Sequence, residues 1–107
     1  LFIDQGRDVL YVGGQMYDVY SLESLGELAY GNKVAAIDYE RDFMMTTDVG
    51  SNGQEALYVL TRAGEYLDEI PLFDDQYVKS RFAYDQHLGV LWAFSMTEAK
   101  VIKIELF

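Results

Sequence analysis

The chain has no cysteine, one proline, one histidine and only eight basic residues. Without cysteine it cannot form a disulfide framework or a thiolate metal site, although this absence does not fix the compartment. No apolar run approaches the ~20 residues that a membrane-spanning helix needs. The sequence therefore predicts a protein that does not insert into membranes, and it leaves the localisation unknown.

Acidic side chains dominate the charge, with 18 Asp and Glu against 8 Lys and Arg and a net charge of −10. Nucleic-acid affinity depends on basic side chains that displace counterions, so this balance argues against a nucleic-acid partner. It argues equally against an anionic membrane surface. Half of the 107 residues are apolar and 15% are aromatic, which predicts one folded domain rather than a disordered chain.

One pattern recurs three times: apolar residues, an aspartate, four turn-like residues and a second apolar run. The copies begin at Asp4, Asp38 and Asp85. Each aspartate is expected to open a tight turn, because its carboxylate can accept a hydrogen bond from a backbone N–H two residues further on. Repeats of roughly 20–50 residues are typical of solenoids, propellers and arrays.

Each copy continues into further strand patterns, which predict eleven strands. The first strand of each copy ends at the repeated aspartate, and the second strands cover residues 9–12, 43–46 and 90–93. Third strands are predicted at residues 17–22, 57–62 and 101–106, and fourth strands at residues 28–30 and 66–72, after turns at Gly26 and Gly64. The second strands are apolar on both faces, as expected of strands that lie between two other layers. The fourth strands are acidic, and Pro71 marks the last of them as an edge.

The stretch at residues 9–14, together with residues 17–22 and 26–28, resembles β-propellers of the YVTN, quinoprotein-like and bacterial six-bladed types. The resemblance implies an all-β fold of consecutive four-stranded antiparallel blades. Blade 1 would cover about residues 1–30, blade 2 about 31–72, and blade 3 about 73–107 without its outer strand. Three blades cannot close a ring, so the ring would be open and incomplete. The remaining blades would come from the same, longer chain or from a second copy, and the resemblance points to an extracytoplasmic or secreted location.

In propellers the loops that join second to third strands, and one blade to the next, gather on one face. Function generally resides on such loops, and here they carry acidic and aromatic side chains. The predicted binding residues are Asp48, Asn52, Asp74, Asp75 and Tyr77. Carboxylates beside a tyrosine suit a small polar ligand or a basic patch on a protein partner. We therefore predict a non-catalytic binding or scaffolding segment; the alternative is part of a propeller enzyme (lactonase-, lyase- or hydrolase-like) with its site over the central channel.

Two features could carry other chemistry. Residues 48–55 place oxygen ligands at alternating positions with Gly53 sixth, as in calcium loops, but Val59 occupies the twelfth position, where a bidentate Glu belongs. An ordinary hairpin loop is a simpler explanation of this segment. We therefore predict no cofactor, with calcium as the alternative. His87 follows Asp85 by two residues and is interpreted as a solvated turn residue rather than a general base. No catalytic residue is predicted.

Overall fold

The computed structural model describes residues 1–49, 53–72, 80–96 and 99–106. Within these ranges the chain forms eleven β-strands and no helix, so none of the described segments is a helix long and apolar enough to cross a membrane. The strands are β1 (Phe2–Asp4), β2 (Val9–Val12), β3 (Gln15–Asp18), β4 (Ser24–Glu27), β5 (Lys33–Asp38), β6 (Phe43–Val49), β7 (Glu55–Thr61), β8 (Tyr66–Pro71), β9 (Ser80–Asp85), β10 (Val90–Ser95) and β11 (Lys100–Glu105). The prediction of an all-β chain is confirmed.

The strands form three antiparallel sheets in the order of the chain. The first sheet contains β1–β4, the second β5–β8 and the third β9–β11, and in each sheet strands that are consecutive in sequence pair with one another. The predicted grouping of eleven strands into sets of four, four and three is therefore observed. β8 is the edge of the second sheet, as its acidic side chains and Pro71 predicted.

The second sheet lies between the other two, and β5 packs against both β2 and β9. One apolar core fills the space between the first and second sheets and contains Val9, Tyr11, Val34, Ile37, Met44 and Leu60. The other core fills the space between the second and third sheets and contains Ala36, Phe43, Met45, Leu57 and Leu91. β6 belongs to both cores, because alternate side chains of a strand point to opposite faces. This explains why its second-strand pattern is apolar on both faces.

Equivalent positions in the three sheets face in equivalent directions. Tyr11 and Met45 face the sheet that follows in the chain and are buried, with 4% and 0% of their surface exposed. Met44 and Leu91 face the preceding sheet and are 1% and 0% exposed. Leu10 shares the position of Met44 but is partly exposed, because no described sheet lies on that side of the first sheet. The sequence pattern predicted the same burial for all three copies, so it was wrong for Leu10.

The outer half of the first sheet differs from the predicted strands. β3 ends at Asp18 rather than continuing through residue 22, because the Asp18 carboxylate accepts hydrogen bonds from the backbone N–H groups of Tyr20 and Ser21, both at 2.9 Å. β4 then includes Gly26, which has a φ of +109° where the pairing with β3 shifts register. The strand predicted at residues 28–30 is therefore wrong. Side-chain bonds to the backbone override a pattern of alternating polarity here.

The turn aspartate of the first sheet is fully buried and is bound by the second sheet. Asp4 Oδ1 accepts the N–H of Gly6 at 3.1 Å, as its turn role predicted. Asp4 Oδ2 pairs with Arg62 Nη2 at 2.5 Å, and Arg62 also lies over the ring of Tyr39. The ion pair therefore joins the end of β1 to the turn after β7 in the neighbouring sheet.

The turn aspartate of the second sheet is bound by the third sheet in the same way. Asp38 Oδ1 accepts the backbone N–H of Arg41 at 2.7 Å, and Asp38 Oδ2 accepts the hydroxyl of Tyr84 at 2.5 Å and Arg41 Nη1 at 2.9 Å. Burial alone would raise the pKa of Asp38, but the hydrogen bonds from Tyr84 and Arg41 hold that pKa below its ordinary value. Burial and the neighbouring Asp38 carboxylate raise the pKa of the Tyr84 hydroxyl. Asp38 is thus a buried anion with a donor from the next sheet.

Replacing Asp38 with Asn should lower the free energy of unfolding at neutral pH by about 1–3 kcal/mol, because the Tyr84 and Arg41 donors lose a charged acceptor. Since the folded pKa of Asp38 is lowered, its contribution is present above the ordinary pKa of 3.8 and is lost as the pH falls through the folded value. Urea unfolding at several pH values should therefore show a shallower loss of stability below pH 3.8 in Asp38→Asn. Asp85→Asn, which changes the equivalent turn without a described cross-sheet donor, should cost less. Equal effects of both substitutions would contradict the role of Asp38.

Truncation of Met44 or Leu91 to Ala should each cost about 2–5 kcal/mol, as expected for large buried side chains. Leu10→Ala is the matched control, because Leu10 occupies the same strand position on a partly exposed face. It should cost less than about 2 kcal/mol. Denaturant midpoints at constant m-value would measure all three. A cost for Leu10→Ala as large as that for Met44→Ala would show that this face is covered.

Candidate functional site

The antiparallel order gives the stack of sheets two different ends. The turn end carries the β1–β2, β5–β6, β7–β8 and β9–β10 connections, which contact one another across sheets. Arg7 Nη1 donates to the carbonyl of Arg62 at 2.5 Å, and Arg41 Nη1 donates to the carbonyl of Gln86 at 2.7 Å. The loop end, opposite to it, carries the β2–β3 and β4–β5 connections and one end of each strand from β6 to β11.

At the loop end, the connection from the first to the second sheet closes over Thr46. The Thr46 hydroxyl donates to the carbonyl of Tyr30 at 3.0 Å, and the N–H of Asn32 donates to the carbonyl of Thr47 at 2.9 Å. Gly31 between them has a φ of +84°, and a Cβ there would lie 2.3 Å from Thr46 Oγ1. Only glycine fits this close approach. The β4–β5 connection is therefore held tightly against the second sheet.

A cluster of buried polar side chains lies between the second and third sheets at the loop end. This polar cluster consists of Lys33, Thr47, Glu55, Ser80 and Ser95. The Ser80 hydroxyl donates to Glu55 Oε2 at 2.8 Å, and Lys33 Nζ donates to the Ser80 carbonyl at 2.7 Å. Apart from Lys33, which is partly buried, each member is no more than 2% exposed.

Strand alternation explains why these side chains meet. Thr47 shares the face of Met45, Glu55 the face of Leu57, and Ser80 the face of Phe82, and those apolar residues belong to the core between the two sheets. The polar cluster is therefore the loop-end layer of the same core. Sequence reasoning missed it, although Glu55, two residues before Leu57, carried the signal of a carboxylate on an apolar face.

The electrostatics of the polar cluster combine a cation, a carboxylate and a hydroxyl without a partner. Burial lowers the pKa of Lys33, the nearby Arg81 lowers it further, and Glu55 opposes the change. Lys33 Nζ also lies 5.4 Å from the centre of the Phe82 ring. Thr47 Oγ1 is buried and has no hydrogen-bond partner among the described residues. Buried polar atoms are nearly always paired, so this hydroxyl is an exception among the described residues.

The polar cluster does not have the geometry of a serine nucleophile. Ser80 Oγ donates to the Glu55 carboxylate, the contact that a nucleophile makes with its general base, but only 1% of the residue is exposed, so a substrate cannot reach it. Lys33 donates to the backbone carbonyl of Ser80, so the contact that the structure records does not activate the hydroxyl. In this arrangement burial, rather than the Ser80–Glu55 contact, argues against covalent chemistry at Ser80.

Of the predicted binding residues, the structure describes Asp48 alone. It lies near the loop end of β6, partly exposed, and its carboxylate accepts the N–H of Val49 at 2.7 Å. The other four, Asn52, Asp74, Asp75 and Tyr77, lie outside the described residues. Asp48 is not part of the polar cluster, because it points to the first-sheet side of the second sheet while Glu55 points to the third-sheet side. Those two carboxylates of the calcium-like segment therefore do not converge, and the described residues contain no group of three or more potential metal-binding side chains.

Asp48 lies instead near three packed tyrosines on the face of the second sheet that points to the first. Tyr30 and Tyr66 are largely exposed, and their ring centres are 5.3 Å apart. Tyr58 lies 6.0 Å from Tyr30, and burial, Glu69 and Asp48 raise the pKa of its hydroxyl. The three rings pack against one another, and Tyr58 also packs against the core between the first and second sheets.

His87 lies at the turn end, away from the polar cluster. It is exposed in the connection between β9 and β10, as predicted for a solvated turn residue. Arg7 and Arg41, which lie in other turns at the same end, are engaged in the contacts between sheets described above. These two arginines therefore serve the packing of the sheets.

The Ser80–Glu55 contact can be measured by a double-mutant cycle. Ser80→Ala should destabilise the fold by about 1–3 kcal/mol, because it leaves a buried carboxylate oxygen without its donor. Glu55→Gln should be less damaging in the Ser80→Ala background than in the wild type, with a coupling energy of about 0.5–3 kcal/mol. Urea unfolding of the four proteins gives this value. Additive effects would show that the two side chains do not interact in solution.

Comparison with known proteins leaves the family open. No family model, no curated protein and no solved structure matches the chain. The similarity to β-propellers therefore remains a sequence-based hypothesis.

Proposed function

We propose that the chain is a non-catalytic binding or scaffolding segment of a β-propeller, and that its loop end contacts a protein or a small polar ligand. The observation that carries the proposal is the contrast between the two ends of the stack. At the turn end, both fully buried aspartates are bound by the neighbouring sheet. At the loop end, a buried polar cluster contains a hydroxyl with no described partner.

The arrangement of the sheets supports the blade interpretation. They follow one another in chain order, each is built from antiparallel neighbours, and they pack face to face with their aspartate turns at the same end. Propellers are built from four-stranded sheets of this kind that repeat around a central channel. In this interpretation the three sheets are consecutive blades of an open ring, and β1, β5 and β9 are their inner strands.

The charge of the chain indicates the chemistry of the partner. The net charge is −10, and Asp48 is partly exposed at the loop end. Asn52 belongs to the connection from β6 to β7, and Asp74, Asp75 and Tyr77 belong to the connection from β8 to β9. The strands that flank these connections end at the loop end. A cationic or hydroxylated ligand, or a basic patch on a protein, complements such a surface, and complementary charge mainly raises the association rate.

An enzyme would need a different distribution of groups. A propeller hydrolase or lactonase requires several carboxylates or histidines that converge from different blades over the channel. In the part of the chain that is described, the polar cluster supplies one carboxylate, Glu55, and the only histidine lies at the opposite end. This distribution favours binding over catalysis.

A pull-down with the immobilised protein, followed by kinetics on the captured partner, tests the assignment of the binding end. Asp48→Ala, Asp74→Ala and Tyr77→Ala should each weaken binding by about two- to fivefold, as expected for contacts at an interface rim. For the two aspartates the loss should be mainly in the association rate, and it should shrink at high salt. The matched turn-end variants are Glu40→Ala and His87→Ala, both at exposed positions. They should bind like the wild type.

The opposite result would overturn the proposal. If the turn-end variants lose binding while the loop-end variants keep it, the partner contacts the other end of the sheets. Thermal unfolding of each variant separates loss of binding from loss of folding.

A further inference from the structure

The outer face of the third sheet has an apolar strip that no described sheet covers. Trp92 occupies the position at which Tyr11 and Met45 are buried under the next sheet. The groove around it has a volume of about 190 Å³ and is lined by Arg81, Phe82, Ala83, Trp92, Ala93, Phe94 and Val101. Phe94 and Val101 are 37% and 64% exposed. On the same face, this strip is flanked by Arg81, Lys103 and Glu105, and the last two form an ion pair at 3.1 Å.

On each of the two covered faces, the turn aspartate is bound by a side chain of the sheet that covers it. Asp4 is bound by Arg62 of the next sheet, and Asp38 by Tyr84 of the next sheet. The two donors occupy different positions in their own sheets. Arg62 is the residue after the third strand of the second sheet, and Tyr84 is the residue before the turn aspartate in the first strand of the third sheet. In the second sheet these two positions hold Arg62 and Ile37, and in the third sheet they hold Leu106 and Tyr84. Each covering sheet therefore supplies one donor and one apolar side chain.

Asp85 is the third member of the aspartate series and lies on the uncovered face. Its Oδ1 accepts the backbone N–H of Leu88 at 3.1 Å, as Asp38 Oδ1 accepts the N–H of Arg41. No described donor reaches its Oδ2, the atom that receives the cross-sheet donor in Asp4 and Asp38. The aspartate is oriented by its turn for a contact that the described residues do not supply.

We propose that the outer face of the third sheet docks a further antiparallel β-sheet that carries an arginine or a tyrosine at one of these two positions, with that side chain bound to Asp85. The apolar part of the partner sheet would cover Trp92 and Phe94, and its donor would complement the charge of Asp85. This surface is a sheet face and is separate from the loop end, so the inference does not depend on the binding function proposed there.

The same rule argues against the first sheet of a second copy as the partner. Its outer face is apolar, with Ile3 and Val12 52% and 42% exposed, so it could cover the groove. However, the two donor positions of the first sheet hold Ile3 and Val19, neither of which can donate a side-chain hydrogen bond. Docking it would desolvate Asp85 without a donor, which disfavours the complex. The partner sheet must therefore differ from the first sheet at one of these positions.

The test supplies the missing donor. In the Ile3→Tyr variant, the first sheet carries the residue that the third sheet has at the equivalent position, Tyr84. Sedimentation velocity should show that this variant self-associates about tenfold more tightly than Ile3→Phe, which has the ring without the hydroxyl. Ile3 is largely exposed, so both variants should melt like the wild type. Trp92→Glu in the Ile3→Tyr background should abolish the association, because it places a charge in the groove.

Asp85→Asn decides between the possible outcomes. The advantage of Ile3→Tyr over Ile3→Phe should disappear when both carry Asp85→Asn. The proposal is overturned if the tyrosine confers no Asp85-dependent gain, whether because no variant associates or because the two variants associate equally. It is also overturned if the wild type self-associates as tightly as Ile3→Tyr, since an unmodified second copy would then be a sufficient partner.

Discussion

A buried turn carboxylate that is bound by the neighbouring sheet is the interaction on which the stack depends. Asp4 and Asp38 are both fully buried, and each receives a donor from the next sheet. A carboxylate removed from water is costly unless it is paired and hydrogen-bonded. Each sheet therefore requires its neighbour for more than apolar cover. The two pairs use different donors, a guanidinium and a phenol, for the same task.

Because of this requirement, the charged groups at the two ends of the strands are used differently. Two arginines of the turn end are engaged between sheets: Arg62 binds the buried Asp4, and Arg41 donates to the Gln86 carbonyl of the third sheet while it also binds Asp38 in its own turn. The loop end also has ionisable groups that are buried or partly buried, Glu55 and Lys33, and both make hydrogen bonds. The Thr47 hydroxyl beside them has no partner among the described residues. Among the described residues, the loop end is thus where a buried polar group is not used by the fold.

Strand alternation allows one sheet to pack against a neighbouring sheet on each of its two faces. Because successive side chains point to opposite faces, each inner sheet needs apolar residues at both odd and even positions. β6 meets this need with five consecutive buried residues, Phe43–Thr47. The first and third sheets have the same alternation, so their outer faces also carry apolar side chains, as Leu10 and Trp92 show. The exposed faces thus follow from the same pattern that builds the core.

The sequence by itself determined the strand content, the grouping of the strands and the aspartate turns, since these depend on local alternation and on short-range bonds such as Asp4 to Gly6. It misplaced the end of β3, because the polarity pattern does not reveal that Asp18 folds back on its own backbone. Only the tertiary structure decided which donor meets which aspartate, across 58 residues for Arg62 and 46 for Tyr84. The tertiary structure also determined the composition of the polar cluster. Its side chains come from segments that are remote in sequence and meet because two sheets pack face to face.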